Sequence, residues 1–288
     1  VNESSMTLLV QKFGGTSLGS IERIKAVAQR IKASKEEGND LLVVVSAMGH
    51  TTDQLTQLAS EITIHPSHRE MDMLLSTGEQ VSISLLTMAL NELGIPAISL
   101  TGSQAGIITE SAHGRARIIE IRTERIKNLL NQGKTLVVAG FQGTSLGIGG
   151  IAEITTLGRG GSDTSAVALA ASLEADKCEI YTDVPGVLTT DPRIVKSAQL
   201  MKSISCDEML ELASLGAAVL HPRAVEIARN FGITLVVKSS WDNLDGTILT
   251  SKKNLVSSKG GIEHRSPVDG LEIVENQAVV ALSNIPDR

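Results

Sequence analysis

Short apolar runs alternate with longer amphipathic runs over most of this chain, and this alternation restricts the fold more than any other feature of the sequence. Residues 7–13 read as a buried strand, residues 14–20 as a glycine-containing loop, and residues 21–33 as a helix with one apolar face. The continuous apolar run 41–45 is typical of a strand in a parallel sheet that is covered on both faces. The pattern predicts an α/β fold.

Further elements continue this order. We expect a long helix that ends near residue 93, strands at 97–100, 135–139, 178–181 and 234–237, and helices at 122–131, 164–173, 206–215 and 223–230. Such alternation predicts a wound, mainly parallel sheet. Residues 251–267 are rich in Ser, Lys and Gly and read as a linker, so we expect a domain boundary there.

Charge and composition exclude several kinds of partner. The 288-residue chain has a net charge of -6, which disfavours nucleic acid and membrane surfaces, and its 2% aromatic content leaves few side chains for stacking on bases. No apolar run approaches the roughly 20 residues of a membrane helix, and the first residues show no signal-peptide pattern. We expect a cytoplasmic protein. Cys178 and Cys206 are too far apart in the sequence to indicate a disulfide framework or a zinc site.

The glycine-rich turn after the first strand is a candidate phosphate site. Gly14 and Gly15 lie between a predicted strand and a predicted helix, where backbone N–H groups at the positive end of the helix suit phosphate oxygens. Lys12 adds a mobile positive charge, and Thr16 and Ser17 add hydroxyl groups. The turn therefore predicts an anion-binding site.

A hydrolase is the strongest alternative from another enzyme class. Residues 15–19 match the Gly-x-Ser-x-Gly nucleophile elbow in its strand–turn–helix context. Such an enzyme also needs a catalytic histidine. In the C-terminal part of the sequence, His221 is the candidate for this histidine. Its place before Pro222 is more typical of the start of a helix.

A second glycine cluster, Gly158-Arg159-Gly160-Gly161-Ser162-Asp163, precedes a helix of small residues. Ser162 or Asp163 would be a natural N-cap for that helix. Capping does not explain Arg159, whose guanidinium could make a bidentate contact with a substrate carboxylate. Asp163 could orient Lys12 or hold a metal. Phosphoryl transfer needs this kind of positioning and charge neutralisation.

Three further regions are weaker candidates. Glu79 follows Ser76-Thr77-Gly78 and, beside a glycine break, could bind a substrate ammonium, although a solvated helix face is the alternative. Residues 181–193 follow a strand into turns, where open α/β sheets bind ligands, so nucleotide contacts are expected there. Lys238 closes a predicted strand and could place a second positive charge over the phosphates, or be an exposed strand-end lysine.

Two segments of the chain are nearly identical. Residues 13–19 and 141–147 differ at one position, and each follows an apolar strand. Two such loops could face one ligand, or both could be ordinary strand-end turns.

Taken in order, Lys12-Phe13-Gly14-Gly15-Thr16-Ser17, Ser46-Ala47-Met48-Gly49, Ser76-Thr77-Gly78-Glu79, residues 158–163 and residues 189–193 resemble the aspartokinases of the amino acid kinase family. The resemblance covers nearly the whole chain. It implies an α/β three-layer sandwich with an eight-stranded, mainly parallel central sheet. It also implies transfer of the ATP γ-phosphoryl, with Mg²⁺ held mainly through the phosphates, to the β-carboxylate of L-aspartate. The product would feed lysine, threonine and methionine synthesis.

The resemblance also implies roles for individual residues. Lys12 and Asp163 would be catalytic; the substrate would contact Thr52, Glu79, Arg159, Gly160, Gly161 and Ser162. The nucleotide would contact Lys12, Phe13, Gly14, Gly15, Ser46, Thr182, Asp183, Gly186, Leu188, Arg193 and Lys238, and no side chain would be a metal ligand. Leu188 departs from the family pattern, because relatives often carry Tyr there.

The resemblance implies a domain division and partners as well. Residues 1–250 would form the catalytic domain, 251–268 a linker, and 269–288 the beginning of a regulatory ACT domain. A homo-oligomer such as a dimer, or an assembly with a regulatory subunit, is expected. The nearest alternative function is that of a related amino acid kinase acting on another small carboxylate.

Overall fold

A computed structural model describes residues 7–146, 151–215 and 219–251 of the chain. The strands in these ranges are β1 (Leu8–Phe13), β2 (Asp40–Val45), β3 (Ala97–Leu100), β4 (Ile107–Thr109), β5 (Ile118–Ile121), β6 (Thr135–Ala139), β7 (Gln142–Leu146), β8 (Ala152–Thr156), β9 (Lys177–Thr182), β10 (Ser203–Ser205), β11 (Leu235–Ser239) and β12 (Thr247–Thr250). The helices are α1 (Ile21–Glu36), α2 (Thr51–Ile62), α3 (His68–Glu92), α4 (Glu124–Leu130), α5 (Gly161–Ser172), α6 (Cys206–Leu215) and α7 (Pro222–Phe231).

The central sheet has eight strands in the order β10-β12-β11-β9-β1-β2-β6-β3. Neighbouring strands pair in parallel except for β11 and β12. The expected eight-stranded, mainly parallel sheet is therefore confirmed. Because β1 lies between β9 and β2, the loops that follow these three strands meet at one edge of the sheet, where open α/β sheets bind their ligands.

Helices cover both faces of this sheet and give the predicted three layers. Val10 of β1 packs in a core with α5 and α7, whereas Leu9 and Phe13 pack in a second core with α1 and α3. Successive side chains of a strand point to opposite faces. Lys12 therefore shares the face of Val10 and lies on the side of α5.

A second sheet of four strands, in the order β5-β4-β7-β8, was not expected from the sequence. It corrects the interpretation of residues 141–147 as a ligand-facing loop, because Gln142–Leu146 form β7 and pair with β8 along five residues. Residues 142–146 thus resemble residues 14–18 in sequence but not in structure.

Helix α3 differs from its expected form in one respect. It runs without interruption from His68 to Glu92, so the predicted break at Gly78 is wrong. Within the described residues, α3 is the one helix with the length and mean hydropathy of a membrane span. Nine of its residues are nevertheless buried against the protein, Asp72 and Glu79 among them, as is common in core helices.

Gly78 has a steric role inside α3. A Cβ added at this position would lie 2.8 Å from the Cβ of Ala47, in the loop that follows β2. Side chains do not approach so closely without displacement of one element. Gly78 thus allows α3 to contact the 46–49 loop directly, and Glu79 reaches that loop as a consequence.

We expect Gly78→Ala to destabilise the protein, although alanine is the better helix former by about 1 kcal/mol. The added methyl group should cost about 1–3 kcal/mol of overpacking against the backbone-anchored Ala47. Thr77→Ala, at the neighbouring exposed position of α3, is the matched control and should be neutral or stabilising. Urea denaturation of both variants measures the difference; a Gly78→Ala protein as stable as Thr77→Ala would show that the approach is not tight.

Candidate active site

A cavity of about 1000 Å³ opens at the carboxyl ends of β1 and β2. Its walls come from the loops after these strands, from α2 and α3, and from the start of α5. Many of the predicted site residues line it: Lys12, Gly15, Ser46, Thr52, Glu79, Arg159, Gly160, Gly161, Ser162 and Asp163. The two glycine clusters, which are far apart in the sequence, therefore face one space.

Lys12 and Asp163 form an ion pair within this cavity. Lys12 Nζ lies 2.7 Å from Asp163 Oδ1, and the two side chains are only 11% and 13% exposed. The contact is close but lacks the alignment of a hydrogen bond. Asp163 lies in the first turn of α5, whose N-cap is Gly160, without a side-chain capping bond. The prediction that Ser162 or Asp163 caps this helix is therefore wrong, and the carboxylate is directed to Lys12.

The glycine-rich turn presents fewer amides than the sequence suggested. The Gly14 N–H donates to the Tyr181 carbonyl at 3.3 Å, and the Ser17 N–H donates to Gly14. Within the described part of the chain, the N–H groups of Gly15 and Thr16 have no protein acceptor. A Cβ on Gly15 would lie 2.7 Å from the Ala47 carbonyl oxygen. The turn can therefore lie this close to the 46–49 loop only with glycine at position 15.

Glu79 is the most unusual group of the cavity. Its side chain projects from α3 and is 3% exposed. Oε1 accepts a hydrogen bond from the Ala47 N–H at 3.1 Å, whereas the buried Oε2 has no hydrogen-bond partner among the described residues. Burial raises the pKa of Glu79 from 4.5 to about 7. A buried carboxylate oxygen without a partner in a cavity wall is suited to a cationic ligand.

Arg159 supplies the opposite charge. It is exposed, lines the cavity, and forms no ion pair among the residues that the structure describes. Its neighbours Gly158 and Gly160 have φ values of 77° and 65°. The guanidinium thus lies on a tight loop at the start of α5 and is available to an anionic group.

Lys238 is not brought together with Lys12, contrary to the sequence interpretation. In the sheet, Lys238 is in register with Tyr181 and Lys12 with Ile180, so their side chains point to opposite faces. Lys238 Nζ lies 3.6 Å from Glu179, beside a second cavity of about 700 Å³. Lys177 Nζ lies 3.0 Å from the same carboxylate. The lysines and the hydrogen-bond donors around Glu179 lower its pKa against the effect of burial.

Lys12, Gly15 and Ser46 line the cavity, whereas the other predicted nucleotide residues lie outside it. Phe13 is fully buried and stacks on Tyr181 with ring centroids 4.6 Å apart. Thr182 ends β9, where its carbonyl accepts from the Ser240 N–H at 2.8 Å. Ser240 Oγ in turn lies 2.6 Å from Ser17 Oγ. The end of β9 and the glycine-rich turn are therefore neighbours.

The rest of this set has mixed surroundings. Asp183 and Arg193 are exposed. The Arg193 guanidinium donates hydrogen bonds of 2.6–3.1 Å to both carboxylate oxygens of Asp191 and lowers the pKa of Asp191. Gly186 is buried, and a Cβ there would lie 2.6 Å from Thr247 Oγ1, so packing accounts for this glycine. Leu188 forms an isolated bridge with Leu200.

One group of cavity residues was missed in the sequence. Asp72 is fully buried in α3 and accepts hydrogen bonds from Thr156 Oγ1 at 2.6 Å, from the Gly114 N–H at 3.1 Å and from His113 Nδ1 at 2.8 Å. Glu153 lies 3.3 Å from the other ring nitrogen of His113. Asp72 and Glu79 are two helical turns apart, and this spacing of carboxylates on one face of a long helix was the available signal.

Residues 7–239 match the model of the amino acid kinase family. The chain belongs to the amino acid kinase family. Aspartokinase of Bacillus sp. (strain MGA3) is 65% identical over 255 residues, which are 87% of this chain and 61% of that protein. The crystal structure of aspartate kinase from Synechocystis has a TM-score of 0.76 at 65% identity, and covers 85% of this chain and 40% of that one.

A more distant amino acid kinase was solved with ligands. The structure of E. coli aspartokinase III in complex with aspartate and ADP has a TM-score of 0.76 at 28% identity, over 86% of this chain and 65% of that one. The chain spans about three fifths of the length of the curated relatives with which it was compared.

The hydrolase alternative conflicts with both the family and the geometry. Ser17 is fully buried, and its hydroxyl is paired with Ser240 rather than with a histidine. His221 is the N-cap of α7 and accepts a hydrogen bond from the Arg223 N–H. Neither residue has the surroundings of a nucleophile and its base, so residues 15–19 are not a nucleophile elbow.

The raised pKa of Glu79 has a consequence for stability. In the unfolded chain Glu79 loses its proton near pH 4.5, whereas in the folded protein it keeps the proton up to about pH 7. The folded state is therefore favoured below pH 4.5, and this advantage is lost as the pH rises to 7. Glu79→Gln should thus gain stability relative to the parent protein, by about 3 kcal/mol between pH 4.5 and pH 8.

Chemical denaturation at several pH values in this window measures that gain. Glu92→Gln, at the exposed end of the same helix, is the matched control and should show no such trend. A difference between Glu79→Gln and the parent that is the same at pH 5 and pH 8 would contradict the assigned environment of Glu79.

Proposed function

We propose that this protein transfers the γ-phosphoryl group of ATP to the β-carboxylate of L-aspartate and produces 4-phospho-L-aspartate. The observation that carries the proposal is the unpartnered Glu79 oxygen in the same cavity as the exposed Arg159 guanidinium and the Lys12–Asp163 pair. An aspartokinase with 65% identity and a related structure in complex with aspartate and ADP support it.

The amino acid end of the site consists of Glu79 and Arg159. Glu79 would bind the α-ammonium group of the substrate, which supplies the missing partner of Oε2 and favours the charged carboxylate. Arg159 would bind the α-carboxylate through paired N–H groups. Thr52, Ser162 and the glycines 160 and 161 would shape the surrounding wall.

This pairing favours an α-amino acid over other small carboxylates. A substrate with an acylated or absent amino group would leave Glu79 unpaired in a buried position, at a cost of several kcal/mol in binding. The alternative function, a related amino acid kinase acting on such a compound, is therefore not favoured.

The phosphate end of the site consists of Lys12 and the glycine-rich turn. Lys12 would neutralise charge on the transferred phosphoryl group. Asp163 would keep the Lys12 ammonium group in position before the nucleotide binds. The N–H groups of Gly15 and Thr16 would bind phosphate oxygens. A β-carboxylate oxygen then attacks phosphorus as the bond to the ADP oxygen breaks, and no general base is needed because the nucleophile is already ionised.

Magnesium would enter this site as an ion carried mainly by the nucleotide phosphates. The described residues contain no group of three or more His, Cys, Asp or Glu side chains that could hold a metal. Magnesium is commonly bound through substrate phosphates, waters and one or two carboxylates, where it neutralises phosphate charge. Asp163 is the acidic side chain at the phosphate end that could contribute.

The nucleotide would extend from Lys12 toward the end of β9. Thr182, Asp183 and Arg193 are the polar groups of the predicted set on that side, and Ser46, Gly14 and Phe13 support the turn beneath the phosphates. Lys238 is left out of this proposal because its side chain lies on the opposite face of the sheet. The hydrophobic Leu188 adds no hydroxyl contact.

The wider context is part of the same proposal. The reaction would serve amino-acid biosynthesis in the cytoplasm, toward lysine, threonine and methionine, in a homo-oligomer or with a regulatory subunit. Residues 1–250 would be the catalytic domain, followed by the linker 251–268 and the start of an ACT domain at 269–288. Residues 252–288 lie outside the described part of the chain.

The decisive experiment couples ADP release to trapping of the product. The chain is incubated with ATP, Mg²⁺ and L-aspartate, L-glutamate or N-acetyl-L-glutamate, and hydroxylamine converts any acyl phosphate to a hydroxamate. We expect hydroxamate with aspartate and little with the other two acids. Hydroxamate with N-acetylglutamate but not with aspartate would contradict the role of Glu79, and no hydroxamate at all would overturn the assignment.

Two lysine variants serve as controls for this assay. Lys12→Ala should lower turnover by about 10³-fold, because charge stabilisation of the transferring group is worth that much in comparable reactions. Lys32→Ala removes an equal charge from the surface of α1, where Lys32 pairs with Glu36 at 3.8 Å, and should leave turnover unchanged.

A further inference from the structure

We propose that Arg223 and His221, at the start of α7, are positioning residues that fix the backbone on both sides of Arg159 and thereby set the affinity for the amino acid substrate. This inference rests on the proposed function, since it assigns Arg159 to the substrate. Neither residue was a candidate for this role in the sequence.

Arg223 joins two segments that border the cavity. Its Nη1 donates to the Leu157 carbonyl at 2.7 Å, and its Nη2 donates to the Ala116 carbonyl at 3.2 Å. Among the described residues, no carboxylate lies within ion-pair distance of this guanidinium. Its partly buried charge is therefore matched by two backbone carbonyls, and burial lowers the pKa of Arg223. A partly buried arginine without a carboxylate at ion-pair distance has a desolvation cost that the two carbonyls partly offset.

His221 fixes the loop on the other side of Arg159. A Cβ added at Gly160 would lie 2.1–2.4 Å from the Cβ and ring of His221, so the imidazole packs directly against the Gly160 backbone. Gly160 has a φ of 65°, a conformation that disfavours any other residue. Burial, together with the neighbouring Arg223 charge, lowers the pKa of His221. The ring therefore limits the positions that the Gly160 backbone can take.

The remaining contacts of the loop support the same geometry. Thr156, the last residue of β8, donates to Asp72 at 2.6 Å. The Gly114 carbonyl lies so close to Gly158 that an added Cβ would be 3.1 Å away. Arg159 therefore lies between anchored neighbours at 157 and 160. Its own side chain has no ion pair within the described ranges, so the backbone determines where the guanidinium can reach.

Variants of Arg223 test this inference against a matched arginine of the same helix. Arg223→Ala removes both bonds, and Arg223→Lys retains the charge but can reach only one carbonyl at a time. Arg229→Ala is the control, because Arg229 lies on α7 but pairs with Asp207 at the surface, at 3.1 Å. Circular dichroism and thermal denaturation first show that each variant is folded. If Arg223→Ala does not fold, Arg223→Lys carries the test.

We expect Arg223→Ala to raise the KM for aspartate by about 10- to 100-fold, since misplacing a binding group by about 1 Å has effects of that size. The KM for ATP and kcat should change by less than about 3-fold, as for loss of ground-state binding. Arg223→Lys should lie between Arg223→Ala and the parent protein, and Arg229→Ala should match the parent. Equal changes in both KM values, or none, would overturn the inference.

Amide hydrogen exchange of residues 157–161 tests the geometry without any assay of activity. Exchange in this segment should be faster in Arg223→Ala than in Arg229→Ala, and unchanged exchange would overturn the inference whatever the kinetics. If the parent protein forms no aspartyl hydroxamate, the proposed function fails. Exchange that is faster only in the Arg223 variants would still support the anchoring of the Arg159 loop.

Discussion

The ion pair between Lys12 and Asp163 connects the sheet to the helix that faces its ligand edge. Lys12 is the penultimate residue of β1, near the middle of the sheet, and Asp163 belongs to the first turn of α5. Because β1 lies between β9 and β2, the loops that follow these strands surround the pair. The two glycine clusters face one cavity through this arrangement. The charge that would bind phosphates in the proposed function is thus kept in place by a carboxylate that the fold itself supplies.

Glu79 shows a conflict between stability and function. A buried carboxylate with one unpartnered oxygen is unfavourable in the isolated protein, and burial accordingly raises its pKa. The packing of α3 against the 46–49 loop through Gly78 forces this position on the side chain. Such a penalty is typical of a binding site whose ligand completes the local hydrogen bonding. The same reasoning underlies the proposed preference for a substrate with an ammonium group over a neutral one.

Much of the fold follows from the sequence because two strands of the large sheet, β2 and β6, are almost wholly apolar. The runs at β2 and β6 are buried over nearly their full length, which is the signal that periodicity can detect. The small sheet was missed because its strands are short and partly polar, with β5 half exposed and β7 reading as a turn. Helix α2 was missed because none of its residues is buried.

The site was predictable where chemistry depends on residue type and less so where it depends on register. Lys12, Arg159 and Asp163 stand in or beside glycine clusters, and charged side chains next to clustered glycines are typical of anion-binding loops. Lys238 was misplaced because the face of a strand is set by pairing, and a shift of one residue reverses it. Arg223 gave no signal because it acts through backbone carbonyls, which any sequence provides.

A crystal structure of the chain with L-aspartate and a non-hydrolysable ATP analogue tests the central claim most directly. The account predicts the α-ammonium group within hydrogen-bond distance of Glu79 Oε2, the α-carboxylate on Arg159, and the terminal phosphate on Lys12 Nζ. The β-carboxylate would then lie next to that phosphate. Phosphates bound on the other face of the sheet, beside Lys238 and Glu179, or an amino acid that leaves Glu79 without a partner, would contradict it.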